Sequence, residues 1–156
     1  LGDTTKVQGE ENLYRDFYRK QRSRIQPGDR ADFAREKGLD TEHLNTPGFG
    51  NAKEAETWFK KKILPRMQKG AQATIGIKSG SFRHVVRLQW VESKGLRIDD
   101  PYGKPSGKDG SFGYTEYNTK NRETKGDQAG SGNNAFLDWA TVAEVCKHRY
   151  VQLYNQ

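Results

Sequence analysis

Between Gly70 and Gly103 the chain reads G-A-Q-A-T-I-G-I-K-S-G-S-F-R-H-V-V-R-L-Q-W-V-E-S-K-G-L-R-I-D-D-P-Y-G, and this stretch restricts the fold more than any other. Runs of β-branched and aromatic residues are broken by Ser79-Gly80-Ser81 and by Ser93-Lys94-Gly95. They predict strands over 71–78, 83–92 and 96 to 99 or 100. Connections this short join antiparallel neighbours, so the expected core is a small antiparallel sheet.

Side chains two apart share a strand face, which puts His84 with Val86, Leu88 and Trp90 and turns Arg87 and Gln89 the other way. In the next strand Asp100 goes with Leu96 and Ile98, and Asp99 with Arg97. A turn at 93–95 then brings the start of one strand near the end of the other, with His84 beside Asp100 on the core-facing side. A carboxylate beside an imidazole fixes the ring tautomer and stabilises the imidazolium, as a general base requires. The plain structural alternative is a half-buried histidine bonded to backbone and an aspartate forming a turn before Pro101.

The whole chain of 156 residues suits a single α+β domain spanning 1–156. Hydrophobic residues make up 32% and charged residues 30%, which implies a small core and long solvated loops. No apolar run is long enough to cross a membrane, and no signal-peptide pattern opens the chain. The 27 Lys and Arg against 20 Asp and Glu give a net charge of +7, which favours an anionic partner. The cations are spread along the chain rather than gathered in a nucleic-acid stripe. One cysteine, Cys146, excludes an internal disulfide and a cysteine-based zinc site.

Ahead of the strands, helical spacing predicts an amphipathic helix from Glu10 to about Arg24, stopped by Pro27-Gly28. A second helix capped by Asp29 runs to Lys37, with Gly38 as its stop, and 40–50 reads as loop. His43 lies in that loop without partners at metal-ligand spacing, so no metal site is expected. Asn51 caps a helix over 52–69 that carries Ala55, Trp58, Phe59, Ile63 and Met67 on one stripe, Pro65 bending it and Gly70 ending it. Lys60, Lys61 and Lys62 read as its solvated face.

After the strands, 102–134 is a Gly-rich insertion loop in which Phe112, Tyr114 and Tyr117 suggest a short hairpin arm or contact residues. Its glycines lack the ending of a phosphate loop, and no cofactor is expected. Asp138 opens a last helix with Trp139, Val142, Ala143 and Cys146 on one face, and 149–154 forms a closing strand. Cys146 reads there as a small core residue.

A helix, a glycine, an apolar strand, a small turn, His-Val-Val on a strand and then a strand ending in Asp-Pro-x-Gly resembles the papain-like cysteine peptidases of the bacteriocin-processing, double-glycine leader type. The likeness runs from Trp58 to Pro101 and, more loosely, through the C-terminal helix and strand. It implies a papain-like fold with N-terminal helices packed on the sheet, hydrolysis or transfer at a peptide or amide bond, and a peptide or protein substrate. His84 would be the catalytic histidine and Asp100 its orienting aspartate. A basic, loop-rich domain of this kind is similar to toxin or effector domains delivered as parts of larger bacterial proteins.

The family's nucleophile is a cysteine at the start of an N-terminal helix, and the first half of this chain has none. The thiol would lie upstream of this sequence, or be lost, or be Cys146 in a permuted arrangement. The alternative function is a metal-independent ribonuclease in which His84 handles protons and Arg83, Arg87 or Lys78 stabilises the phosphate. It accounts for the charge better, but places Arg83 and Arg87 on the face opposite His84. A non-catalytic interaction module needs no thiol at all.

Overall fold

The computed structural model describes residues 27–79, 82–100 and 135–155. The expected helix over 10–24, the loop over 102–134 and its aromatics lie outside the described residues. In chain order come α1 (Pro27–Glu36), β1 (Asp40–Asn45), α2 (Ala52–Trp58), a π turn (Phe59–Ile63), α3 (Leu64–Gln68), β2 (Gln72–Ser79), β3 (Phe82–Val91), β4 (Gly95–Asp99), β5 (Ala135–Asp138), α4 (Trp139–Val145) and β6 (Tyr150–Asn155).

The class is α+β, as expected. The six strands among the described residues form one antiparallel sheet in the order β1-β6-β2-β3-β4-β5. The last strand is therefore interior, flanked by β1 and β2, and five of its six residues are buried, which only a strand covered on both faces can sustain.

One face, called inner here, carries Ile75, Ile77, Val86, Leu88, Ile98, Val151 and Leu153, all buried. The long helical segment and α4 cover it. Phe59, Ile63 and Met67 repeat at four residues and enter this core, and Phe59 touches both Trp58 and Trp139. The outer face carries Thr74, Gly76, Arg87 and Tyr150, with α1 laid over its β1 and β6 end, where Arg30 donates to the Tyr150 hydroxyl at 3.0 Å.

Several helix boundaries follow local chemistry. Asn51 accepts from the Glu54 amide at 2.9 Å, while Glu54 reaches back to the Gly50 amide at 2.8 Å, a reciprocal cap. Pro65 has no N–H to give, and the bend expected from it takes the form of a π turn just before it, in which the Leu64 amide bonds to the Phe59 carbonyl. Gly38 and Gly70 stop their helices at φ of 86° and 99°. Asp138 caps α4 through the Thr141 amide at 2.8 Å.

Three expectations need correction. Residues 40–45 are a strand rather than a loop: Glu42 and Leu44 fall on the inner face, Thr41, His43 and Asn45 on the outer, and pairing with β6 satisfies the backbone. Helix α1 begins at Pro27, so Asp29 sits inside its first turn instead of capping it; proline is tolerated there because the first amides have no helical partner. Trp90 is on the opposite face from His84, 40% exposed, because β3 is bulged between Leu88 and Trp90.

Candidate active site

His84 stands near the start of β3, opposite Ile77 of β2. Asp100 is the first residue beyond β4, and its carboxylate is fully buried. The two meet on the inner face, His84 Nε2 lying 2.8 Å from Asp100 Oδ1. The histidine side chain keeps 12% of its surface exposed, so the pair has a sealed carboxylate behind and an imidazole that reaches the surface. A carboxylate accepts, so the proton of the neutral ring sits on Nε2 and the lone pair on Nδ1. The contact expected between His84 and Asp100 is therefore present.

The bulge is what allows it. Val91 opposes Leu96 and Trp90 opposes Arg97, but next Leu88 opposes Ile98 and Arg87 opposes Asp99, leaving Gln89 as the extra residue. Carried on by strict alternation from the Val91 end, the ladder would set Asp100 across from Arg87 on the inner face and turn His84 to the outer one, separating the two. Simple parity along β3 misses this phase shift. Its signal in the sequence is the three-residue spacing of Leu88 and Val91, both of which are buried.

Asp99, pointing outward, is held from β3 by the Gln89 side-chain amide and by Arg87 at 3.5 Å. These bonds anchor the backbone one residue before Asp100. They also engage one of the cations that the ribonuclease reading assigns to phosphate. Lys78 and Arg83 oppose each other and share the outer face with Arg87 and Gly76, so the sheet lies between these cations and His84.

Cys146 caps the C-terminal end of α4 and is fully buried, with its carbonyl held by the Thr46 hydroxyl. Burial pushes its thiol far above the ordinary range, against the opposing charge of Arg149. A permuted nucleophile needs an exposed thiol at a helix start; this one has neither property. His43 bonds through Nδ1 to Gln152 Oε1 at 2.9 Å and through Nε2 to Asn45 Oδ1 at 3.2 Å, a structural role on β1. Among the described residues no three His, Cys, Asp or Glu side chains gather into a metal-binding group, and no helix is long and apolar enough to cross a membrane.

Comparison with protein-family models, with curated proteins and with solved structures found no match to this chain.

Proposed function

We propose that this chain carries the histidine–aspartate half of a papain-like hydrolase site acting on a peptide or amide bond. The observation that carries the reading is the 2.8 Å contact between His84 Nε2 and Asp100 Oδ1, with the aspartate sealed and the imidazole at the surface. In the mechanism His84 takes the proton of a thiol through Nδ1, and the thiolate attacks the carbonyl. His84 then returns the proton to the leaving amine. Asp100 keeps the ring in the tautomer with Nδ1 free of its proton and offsets the charge of the imidazolium.

The thiol is not Cys146, so it comes from residues outside this sequence or from a second molecule. The papain-like resemblance and the order helix, strand, His-bearing strand, Asp-bearing strand favour a thiol over a hydroxyl nucleophile. The ribonuclease reading is the weaker one, because Arg83, Arg87 and Lys78 share the face opposite His84.

The test supplies the missing thiol from solution. An activated peptide ester is incubated with the chain and a small thiol such as cysteamine, and thioester formation is followed. The expected result is an acceleration that saturates in thiol, disappears in His84→Ala, falls in Asp100→Asn and is unchanged in Cys146→Ala. A rate indifferent to His84→Ala overturns the proposal and leaves an interaction module. RNA cleavage that depends on His84 overturns it in favour of the ribonuclease.

A further inference from the structure

At the end of the sheet where β2 passes into β3, the outer face carries Lys78 and Arg83 at the register position next to Gly76 on that face, and the guanidinium of Arg149 lies against Gly76 itself. Lys78 and Arg83 oppose each other in the β2–β3 ladder, so two like charges face one another across the strands, an arrangement that is destabilising by itself. Arg149, just before β6, approaches the same place: a Cβ on Gly76 would lie 3.0 Å from its Nη2 and 2.7 Å from the Tyr150 ring. Glycine at 76 is what leaves room for the guanidinium against the sheet.

None of the three has an acidic partner or a hydrogen bond from its side-chain nitrogens among the described residues, although the other cations of the sheet, Arg87 and Arg97, are both paired with carboxylates. Arg149 is the most telling. Its backbone is pinned on both sides by Thr46, its guanidinium lies 5.3 Å from the Tyr150 ring centre, and its Nε is shut off from solvent without an acceptor. Burial first, and then the charge of Arg83, push Arg149 down from its ordinary value. A guanidinium is held charged nonetheless, and a charged donor closed off from water calls for an anion.

We propose that Lys78, Arg83 and Arg149, gathered over Gly76, form a binding site for a phosphate group, on the opposite side of the sheet from the His84–Asp100 pair. A dianion with three equivalent oxygens satisfies converging cations where one carboxylate would engage a single fork, and guanidinium donors match phosphate oxygens two at a time. The Tyr150 ring under Arg149 restricts the guanidinium and so prepares it for the ligand. The site is independent of the hydrolase reading, since it uses neither His84 nor Asp100.

The test titrates the full chain, in dilute chloride buffer, with inorganic phosphate and separately with O-phosphoserine, following amide and arginine Nε signals by NMR. Saturable shifts at Gly76 and at Arg149 Nε are expected with either ligand. Equal affinity identifies a site for the anion alone; tighter binding of the monoester shows that its organic part is also held. Arg149→Gln is expected to weaken binding about tenfold or more, the effect of losing one charge-assisted bond. Arg83→Gln, at an exposed position where folding is not at risk, is expected to weaken it several-fold. Shifts that rise linearly and are matched by sodium chloride at equal ionic strength overturn the proposal, as does binding unchanged in Arg83→Gln. A single-stranded oligonucleotide bound far more tightly than either probe, with a steep salt dependence, replaces the phosphate site with a nucleic-acid face.

Discussion

The side-chain amide of Gln89, the extra residue of the β3 bulge, donates to the carboxylate of Asp99 on β4, so the bulge is tied to the strand whose next residue is Asp100. Asp100 itself lies beyond the ladder. Its aim at His84 therefore depends on how firmly the end of β4 is held. Gln89→Leu keeps the backbone path but removes the tie. It is expected to cost about 1 kcal/mol in urea unfolding, the net value of one such bond, and to broaden or lose the His84 Nε2 proton signal in NMR. Asp99→Asn, which still offers an acceptor oxygen, is expected to keep that signal. Equal loss in both variants would assign the effect to charge rather than to the tie.

Replacing Asp100 separates shape from charge. Asp100→Asn can present an amide oxygen to His84 Nε2 and should leave the fold near its native stability. Asp100→Ala withdraws the acceptor from a side chain with only 12% of its surface exposed and is expected to cost about 1–3 kcal/mol. Unfolding midpoints in urea decide; an asparagine variant as unstable as the alanine variant would show that the native contact is a charge pair.

The pairing of His84 with Asp100 was legible in the sequence for a reason that is only partly the right one. Each residue shares parity with buried apolar neighbours, Val86 and Leu88 for His84 and Leu96 and Ile98 for Asp100, and that part holds. Strand phase was not legible, because alternation along one strand carries no information about an extra residue that its partner lacks. Alternation along β3 therefore puts Trp90 on the wrong face. Strand β1 was hidden by its composition: Asp40 to Asn45 contains one apolar residue, Leu44, and the strand exists because β6 offers it an edge. Strand β5 was hidden by its shortness, since Ala135 to Asp138 is four residues long and is held as a strand by pairing with β4. The helix caps at Asn51 and Asp138 and the stops at Gly38 and Gly70 were legible, because each depends on a single residue's own chemistry.

Cys146 is expected to resist alkylation. Burial holds the thiol protonated, so labelling between about pH 5 and 9 should be slow, well behind a free thiol of ordinary pKa near 8.5, and unaltered by His84→Ala. The folded-state value is raised, so this contribution to stability is fully present below the unfolded value, about 8.5, and is lost as pH rises above it because only the unfolded chain then gives up the proton. Cys146→Ala should flatten the fall in stability above about pH 8.5. Fast labelling at low pH that vanishes in His84→Ala would reinstate a thiol at the active site.

The pair of Arg66 and Glu42 ties α3 to β1 through two bonds, Nε to Oε2 at 2.7 Å and Nη2 to Oε1 at 2.6 Å. Those bonds, and then the guanidinium charge, hold the Glu42 carboxyl below its ordinary value. A lowered carboxyl contributes stability above its unfolded value, about 4.3, and loses it as pH falls through the folded value. Both side chains are more than a third exposed, so solvent screening keeps the contribution to about 1 kcal/mol at most. Arg66→Gln should therefore lower the melting temperature slightly at neutral pH, and the difference from the parent should shrink as the carboxyl protonates. A difference that persists at about pH 2, below the ordinary carboxylate range, would mean that Arg66 acts through packing instead.

Gly95 begins β4 directly opposite Asp138, the cap of α4, and a Cβ there would lie 1.9 Å from the Leu137 carbonyl oxygen. The atoms met are backbone, so no side-chain rotation can make room. Gly95→Ala must push β5 away from β4, its strand neighbour among the described residues. The same displacement strains the Asp138 cap on Thr141 and the burial of Leu137 and Trp139 behind it. The expected cost is about 1–3 kcal/mol, the range for forced overpacking, with hydrogen exchange fastest at the β5 amides and at the first turn of α4. Because His84 lies on β3, across β4 from β5, and Asp100 follows the end of β4 remote from Gly95, the Nε2 proton of His84 should survive at temperatures where the variant remains folded. Its loss together with the β5 protection would show that β4 moves as a whole and that the dyad shares the stability of the sheet edge.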